Sequence, residues 1–154
     1  MAKQQSDRII AQNKKARHDY FVEYSLEAGI ELKGTEVKSI RKGKINLKES
    51  YCMIRNGEIF AEGMHISPYE QGNIFNQDPL RPKRLLLHKN EIRKLFQSVK
   101  LQGYAIIPLK VYIKGNKVKV EVGLCVGKKL HDKRQSMAER DVKRAMDRAM
   151  KQYK

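Results

Sequence analysis

Two hairpin patterns restrict the fold more than any other feature of the sequence. In the stretch ESYCMIRNGEIFAEGMHI, Asn56-Gly57 offers the two positive-φ positions of a type I′ turn between two β-rich arms. Towards the carboxyl end, YAIIPLKVYIKGNKVKVEVGLCVG predicts two strands joined at KGNK, because valines alternate there with charged residues. Antiparallel strands with one apolar face must be covered or closed on themselves. The sequence therefore predicts a mainly β fold.

Helical patterns are few and lie between the predicted strands. The stretch GTEVKSIRKG predicts a short helix capped by Thr35 and ended by Gly43. Two helices are too few to cross between parallel strands, so the predicted architecture is a small antiparallel β-barrel with helices on its outside. The main helix is predicted in HKNEIRKLFQSVKLQG, from apolar residues at helical spacing: Ile92, Leu95, Phe96 and Val99.

The charge of the chain predicts its kind of partner. Its 154 residues suit one compact domain with tails, and 33 Lys and Arg against 17 Asp and Glu give a net charge of +16. Solubility needs a net charge of only about 2 to 8 in a small domain. Because self-repulsion on this scale is usually offset by a polyanion, nucleic acid is the expected ligand.

No pattern in the sequence predicts a membrane segment, a metal site or catalysis. Neither a run of about 18 apolar residues nor the apolar stretch of a signal peptide occurs, so we expect a cytoplasmic protein. Cys52 and Cys125 lie in separate strand-like runs and are expected as reduced core residues. No metal, cofactor or catalytic residue is predicted, because metal-binding spacing is lacking among His18, His65, His88 and His131.

Basic residues form three clusters along the chain. The cluster of Arg81, Lys83 and Arg84 lies in a long loop predicted between Ser67 and Arg84, and loops of that length are commonly functional. Separate basic patches on one small domain can hold a folded RNA by its phosphates. The clusters are Lys14, Lys15 and Arg17; Arg81, Lys83 and Arg84; and Lys128, Lys129, Lys133 and Arg134.

The last segment, residues 128–154, predicts a helix without a core of its own. Ser136 and Glu139 fit a capping box, which predicts a helix start near Met137. Apolar residues then form only a narrow stripe, and an isolated helix of this length is marginal in water. We expect this tail to be helical when a partner binds it, and residues 1–12 to form a mobile arm.

Several separated motifs resemble those of the small protein B family of SsrA-binding proteins. They are NKKARHDYFVEYSLEAGIELKGTEVKSIRKGKINLKESYCMIRNGEIF, HISPYEQGN, DPLRPKRLLLHKNEI and GKKLHDKR, in this order from Asn13 to the tail. The resemblance implies an oligonucleotide-binding-fold barrel with flanking helices over residues 13–127. It also implies a partner, the tRNA-like domain of transfer-messenger RNA, and a role in ribosome rescue by trans-translation, with the protein bound as a monomer.

Individual residues of the RNA interface carry over from this resemblance. Glu27 is either an acceptor for a base or 2′-hydroxyl donor or a solvent-facing strand acid, and Leu86 is either a core residue or an exposed apolar contact. The family's RNA contacts map onto Asn13, Glu27 and Leu86, and charge and adjacency add Lys14, Arg17, Lys83 and Arg84.

The resemblance also implies a position for the tail on the ribosome. It is expected in the vacant messenger channel beside the decoding centre of the small subunit, where His131 would stack on a base. Ribosome contacts are expected at Lys128, Lys129, His131, Asp132, Lys133, Arg134, Arg140, Lys143, Arg144, Arg148 and Lys151.

Two other functions are open on the sequence. A general structured-RNA-binding barrel, such as a ribosome-associated or cold-shock-like protein, would bind unrelated folded RNAs with comparable affinity and would not need the tail. An enzyme, for example a nuclease, would need clustered acids or a metal motif, and the sequence has neither.

Overall fold

The computed structural model describes residues 8–70, 76–101 and 103–152, with side chains in the last helix described up to Arg148. The elements follow one another as β1 (Arg8–Gln12), α1 (Lys14–Asp19), β2 (Tyr20–Ile30), α2 (Gly34–Arg41), β3 (Ile45–Asn46), β4 (Tyr51–Arg55), β5 (Glu58–Glu62), β6 (His65–Ile66), β7 (Lys83–Leu86), α3 (Lys89–Val99), β8 (Tyr104–Lys114), β9 (Lys117–Gly127) and α4 (Lys128–Gln152).

Six strands form a closed ring, in the order β8, β4, β5, β7, β2 and β9, with β9 pairing back onto β8. Every pairing in the ring is antiparallel. β1 extends one edge of β8, while β3 and β6 form a separate short pair. The prediction of a mainly β fold with helices outside an antiparallel structure is confirmed. Closure protects the ring strands from free edges.

Both predicted hairpins form with the turns that their sequences favour. Asn56 (φ 51°) and Gly57 (φ 77°) connect β4 to β5, which is the positive-φ pair that a type I′ turn requires. At the second hairpin Lys114 pairs with Lys117, and Gly115 adopts a φ of 62° in the two-residue turn between them. β8 and β9 are eleven residues each and pair along their whole length.

The inward faces of the ring strands form the main hydrophobic core, which includes Cys52. A smaller hydrophobic core beside it includes Cys125. Cys52 and Cys125 are both free and buried, as predicted. Burial raises the pKa of the Cys125 thiol to about 11 and raises that of Cys52 further, so neither is a reactive thiolate. Fully enclosed members of the main core include Ala28, Ile59, Ala61, Leu85, Val120 and Val122.

The two predicted helices form, with differences in detail. α2 begins after Lys33, whose backbone N–H donates to Glu36 Oε1 at 2.8 Å, so the predicted cap at Thr35 is wrong. In α3, Ile92 and Leu95 are buried against the ring, but the side chain of Phe96 is 42% exposed. Only part of the predicted apolar stripe is therefore buried.

The amino-terminal region is more ordered than the sequence predicted. The expected mobile arm over residues 1–12 is wrong for Arg8–Gln12, because this segment pairs with β8 from Arg8–Ile113 to Gln12–Lys110. Residues 1–7 lie outside the described part. The short helix α1 was not predicted at all, since its six residues are too few for a clear periodic pattern.

Asn13 joins α1 to the ring. Its Oδ1 accepts from the Ala16 backbone N–H at 3.0 Å, which caps the helix, and its Nδ2 donates to the carbonyl oxygens of Leu47 at 3.2 Å and Pro108 at 3.1 Å. The side chain is buried. One amide therefore fixes the helix end, β8 and the segment before β4 relative to each other.

We predict that Asn13→Ala lowers the free energy of unfolding by about 2 to 4 kcal/mol, because it removes a helix cap and one hydrogen bond to each of two buried carbonyl groups. Urea unfolding followed by circular dichroism measures the loss. The neighbouring exposed Lys14→Ala is the control and should change stability by less than about 0.5 kcal/mol. Equal effects of the two variants would contradict the structural role of Asn13.

Candidate nucleic-acid interface

A second small core holds α1 on the outside of the ring. Ala16 on α1 packs with Ile107, Leu109 and Cys125, which lie on the outward face of β8 and β9. Because this apolar side of α1 faces inward, its basic side chains project to the surface. Lys14 is exposed, and Arg17 is half-exposed with Nη2 3.7 Å from Glu121 Oε2. The first predicted basic cluster is therefore a surface feature.

Glu27 on β2 is held from one side and open on the other. The hydroxyl of Tyr112 donates to its Oε2 at 2.7 Å, and Lys114 Nζ lies 3.4 Å from the same oxygen. The Tyr112 hydrogen bond, aided by Lys114, lowers the pKa of Glu27 below its ordinary value, so the group stays ionised at neutral pH. Its side chain is 39% exposed, so a further donor can reach it.

Three adjacent strands place charges of both signs in one row. Glu27 on β2 lies opposite Glu121 on β9, which lies opposite Lys110 on β8. Lys110 Nζ is 3.4 Å from Glu121 Oε2, the same oxygen that faces Arg17. We call this surface the α1–β2 face; its members are Lys14, Arg17, Glu27, Lys110, Lys114 and Glu121.

Leu86 lies beside the α1–β2 face as an exposed apolar residue. It is 50% exposed on β7, whereas the preceding Leu85 is buried in the ring. Leu86 pairs with Gly29, and a Cβ on Gly29 would lie only 3.2 Å from the Leu86 Cβ. Because Gly29 and Glu27 are two residues apart, they share one face of β2. The interpretation of Leu86 as a core residue is therefore wrong, and its role as an apolar contact stays a prediction.

The second predicted basic cluster does not form one surface. Lys83 is fully buried on β7, and its Nζ donates to the carbonyl oxygens of Met64 at 2.6 Å and Pro79 at 3.0 Å. Arg84 points the opposite way, because side chains alternate along a strand. It is exposed and lies 3.3 Å from Glu58 and 3.7 Å from Glu31.

Asn13 and Lys83 are therefore not placed where an RNA could reach them. Both are buried, and each uses its polar atoms on backbone groups of the protein. Their assignment as RNA contacts is not supported by this arrangement. Lys14, Arg17, Glu27, Arg84 and Leu86 are all accessible.

The tail starts as a helix where β9 ends, and its base is docked on the ring. The predicted start near Met137 is wrong, because α4 begins at Lys128. Leu130 lies so close to Gly103 that a Cβ there would be 2.1 Å from Leu130 Cδ2. His131 stacks on Phe21, with ring centroids 3.9 Å apart and an angle of 7° between the planes.

Beyond its base, α4 presents its charges to solvent. The Arg134 guanidinium lies 5.2 Å from the ring centroid of Tyr104, and the Arg148 Nε donates to the Arg144 carbonyl at 3.4 Å. His131 is partly buried, and the side chain of Lys151 lies outside the described part. The remaining predicted tail contacts are all exposed: Lys128, Lys129, Asp132, Lys133, Arg134, Arg140, Lys143, Arg144 and Arg148.

Tyr112 and Phe21 are site residues that sequence reasoning missed. Tyr112 lies two residues before Lys114 in an alternating strand, so both point to one face of β8, but their link to Glu27 depends on closure of the ring. Over the described residues the structure has no group of three or more His, Cys, Asp or Glu side chains that could hold a metal ion, and no helix that could span a membrane.

These features define a class: a small, strongly basic antiparallel β protein with a charged face on its ring and a charged helix projecting from it. The SmpB protein family model matches residues 10–152, and the chain belongs to this family.

Individual relatives agree along nearly the whole chain. The SsrA-binding protein of Acetivibrio thermocellus is 59% identical over 152 residues, covering 99% of this chain and 98% of its own length. That of Ruminiclostridium cellulolyticum is 60% identical over 145 residues, covering 94% of each chain. A solved structure described as "tmRNA-SmpB: a journey to the center of the bacterial ribosome" superposes with a TM-score of 0.66 at 45% identity, covering 77% of this chain and 83% of that one.

We predict that Tyr112→Phe raises the pKa of Glu27, because the phenol hydrogen bond is the largest cause of its lowered value. Carbon-13 NMR titration of the glutamate carboxyl groups measures the shift. Lys114→Ala should raise it less, since Lys114 is 3.4 Å away and partly screened by solvent. An unchanged Glu27 titration in Tyr112→Phe would contradict the proposed contact.

We predict that Lys83 makes the protein more stable as pH rises above about 8. Burial lowers its pKa from 10.5 to about 8, so between these values the unfolded chain binds more protons than the folded one. Urea unfolding at pH ~7 and ~9.5 should show a gain for the natural protein over Lys83→Met of about 2 kcal/mol. Lys48 is exposed, so the natural protein should show no such gain over the control variant Lys48→Met. Parallel pH profiles of stability for Lys83→Met and the natural protein would contradict the prediction.

Proposed function

We propose that this protein is an RNA-binding ribosome-rescue factor. It binds the tRNA-like domain of transfer-messenger RNA, also called SsrA RNA, and is required for stable association of that RNA with stalled ribosomes and for trans-translation. Relatives at 59% and 60% identity are named SsrA-binding proteins, and the similar solved structure is described by tmRNA, SmpB and the bacterial ribosome. These names support this function over a general structured-RNA-binding barrel.

The arrangement that carries the proposal is a shared corner between two basic surfaces. Tyr20, the first residue of β2, follows α1 directly and pairs with Gly127, the residue before α4. The end of α1 and the start of α4 therefore lie side by side, and the α1–β2 face extends from there along β2 to Glu27. A single monomer can then hold one RNA on the ring and reach a second RNA with the helix.

On the ring, the proposed contacts are Lys14, Arg17 and Arg84 to phosphates, Glu27 to a base or 2′-hydroxyl donor, and Leu86 to an apolar surface. Arg and Lys supply sequence-independent affinity for phosphates. An ionised carboxylate accepts hydrogen bonds, so it selects RNA groups that carry a donor. Tyr112 acts as a positioning residue by holding Glu27 Oε2. The protein catalyses no reaction in this role and works in the cytoplasm, where ribosomes are.

The helix α4 is proposed to enter the vacant messenger channel beside the decoding centre. With 25 residues at about 1.5 Å each it is about 37 Å long, and it has few apolar contacts beyond its base. Its exposed cations would meet ribosomal RNA phosphates. His131 would leave Phe21 and stack on a nucleobase of the decoding centre. The Phe21–His131 stack would then compete with binding of α4 to the ribosome.

The deciding experiment compares a chain ending at Gly127 with the full-length Glu27→Ala variant. Each is assayed for binding to the tRNA-like RNA domain and for tagging of nascent chains on stalled ribosomes. The truncated chain should bind the RNA domain within about two-fold of the natural protein yet lose tagging, because α4 acts on the ribosome. Glu27→Ala should weaken the RNA domain binding by about ten-fold, the scale of one lost charge-assisted contact.

Three outcomes would contradict parts of this proposal. Equal loss of RNA binding and tagging in the truncated chain would assign α4 to the first RNA instead. Comparable affinity of the natural protein for an unrelated folded RNA, with full tagging by the truncated chain, would favour the general RNA-binding barrel. Loss of folding stability in Glu27→Ala that matches its loss of binding would return Glu27 to a structural role.

A further inference from the structure

A groove lies between α3 and the β4–β5 hairpin, on a surface that the α1–β2 face does not include. Its volume is about 650 Å³, within the range of small-ligand sites. Backbone of the hairpin turn forms one wall and α3 forms the other. The lining residues are Ile54, Asn56, Gly57, Glu58, Lys89, Ile92, Arg93 and Phe96.

An aromatic ring lies open in this groove. The helical pattern predicts Phe96 as a core residue, yet its side chain is 42% exposed while Leu95 beside it is buried. Lys100 Nζ lies 4.5 Å from the centre of the Phe96 ring, and Lys100 does not line the groove. Lys100 therefore covers one face of the Phe96 side chain, and the part of Phe96 that lines the groove is the apolar surface left for a ligand.

Basic residues lie on the same side of α3 as the aromatic ring of Phe96. Lys89, Arg93, Phe96 and Lys100 are spaced at i, i+4, i+7 and i+11, which aligns them in one row. Neither Lys89 nor Arg93 has an ion-pair partner among the residues that the structure describes. Glu58, the acid of the groove, instead lies 3.3 Å from Arg84.

Several cations elsewhere on the ring differ from Lys89 and Arg93, because they are paired with acids. Lys15, Arg17, Arg81, Arg84 and Lys110 each have an acidic partner within 4 Å. Lys89 and Arg93 therefore belong to the cations of the body whose positive charge no ion pair offsets among the described residues. A ligand that suits the groove carries negative charge next to a flat, stackable group.

We infer that the groove binds one unpaired nucleotide of a structured RNA, with its base on Phe96 and its flanking phosphates against Lys89 and Arg93. An aromatic face accepts any base, and guanidinium and ammonium groups bind phosphate oxygens. The inference rests on the proposed function only in taking RNA as the ligand. It adds a further RNA contact on the ring, outside the α1–β2 face, for a nucleotide of either transfer-messenger RNA or ribosomal RNA.

The test separates stacking from packing at Phe96. Phe96→Leu keeps an apolar side chain of similar volume but removes the aromatic face, whereas Phe96→Tyr keeps the face. We measure binding to a transfer-messenger RNA transcript, and binding of the preformed RNA–protein complex to ribosomes with an empty messenger channel. Leu101→Ala, an exposed apolar residue outside the groove, and the exposed Lys48→Ala are matched controls.

Phe96→Leu should weaken binding roughly 5- to 150-fold in one of the two assays, the range for one lost base–aromatic stack. Phe96→Tyr should bind like the natural protein. Arg93→Ala should reduce the slope of log affinity against log salt by about 1 in that same assay, since one phosphate contact is lost. Loss in the transcript assay assigns the nucleotide to transfer-messenger RNA, and loss only on ribosomes assigns it to ribosomal RNA.

Ultraviolet crosslinking identifies the partner directly. A nucleotide adduct on a peptide containing Phe96 supports the inference, and a crosslink from that peptide to a ribosomal protein overturns it. Phe96→Leu binding like Leu101→Ala in both assays also overturns it. If the natural protein binds RNA and Glu27→Ala weakens that binding while Phe96→Leu does not, only the groove is wrong; if the natural protein binds neither RNA, the proposed function fails as well.

Discussion

The pairing of β8 with β9 is the interaction on which the rest of the structure depends. β8 also bonds to β1 and β4, and β9 also bonds to β2, so this one hairpin closes the ring. Its outward side carries the small core beneath α1, and its last residues lead into α4. The positions of the α1–β2 face and of α4 therefore follow from one long antiparallel contact, and a change that weakens it should move them together.

Ion pairing divides the positive charge of the protein by location. Acidic residues on or beside the ring strands pair with Arg17, Arg84 and Lys110 and so moderate the field of the ring. Lys89 and Arg93 on α3 have no acidic partner within 4 Å among the residues that the structure describes. Long-range attraction to RNA would come from the whole +16, while discrimination would come from held groups such as Glu27 and from apolar surfaces such as Leu86 and Phe96.

Sequence reasoning succeeded where the cause of structure is local and failed where the cause is distant. The Asn56-Gly57 turn and the main helix were predicted, because turn chemistry and helical spacing are readable within a few residues. Lys83 and Arg84 looked equivalent in a basic run, yet one is buried and the other exposed, since strand β7 was not foreseen. The start of α4 was predicted too late in the sequence, because the first turns of the helix pack on Phe21, which lies near the other end of the chain.

The sequence by itself determined the mainly β character, both hairpins, the net charge and the likeness to one family, because backbone preference, alternation, composition and motif order all lie within the chain as written. Only the tertiary structure decided which polar groups reach solvent. Asn13 and Lys83 donate to carbonyl groups from other segments of the chain. Glu27 on β2 accepts a hydrogen bond from Tyr112 on β8, past the intervening strand β9. Burial and distant hydrogen bonds depend on which strands become neighbours, and that is settled when the ring closes.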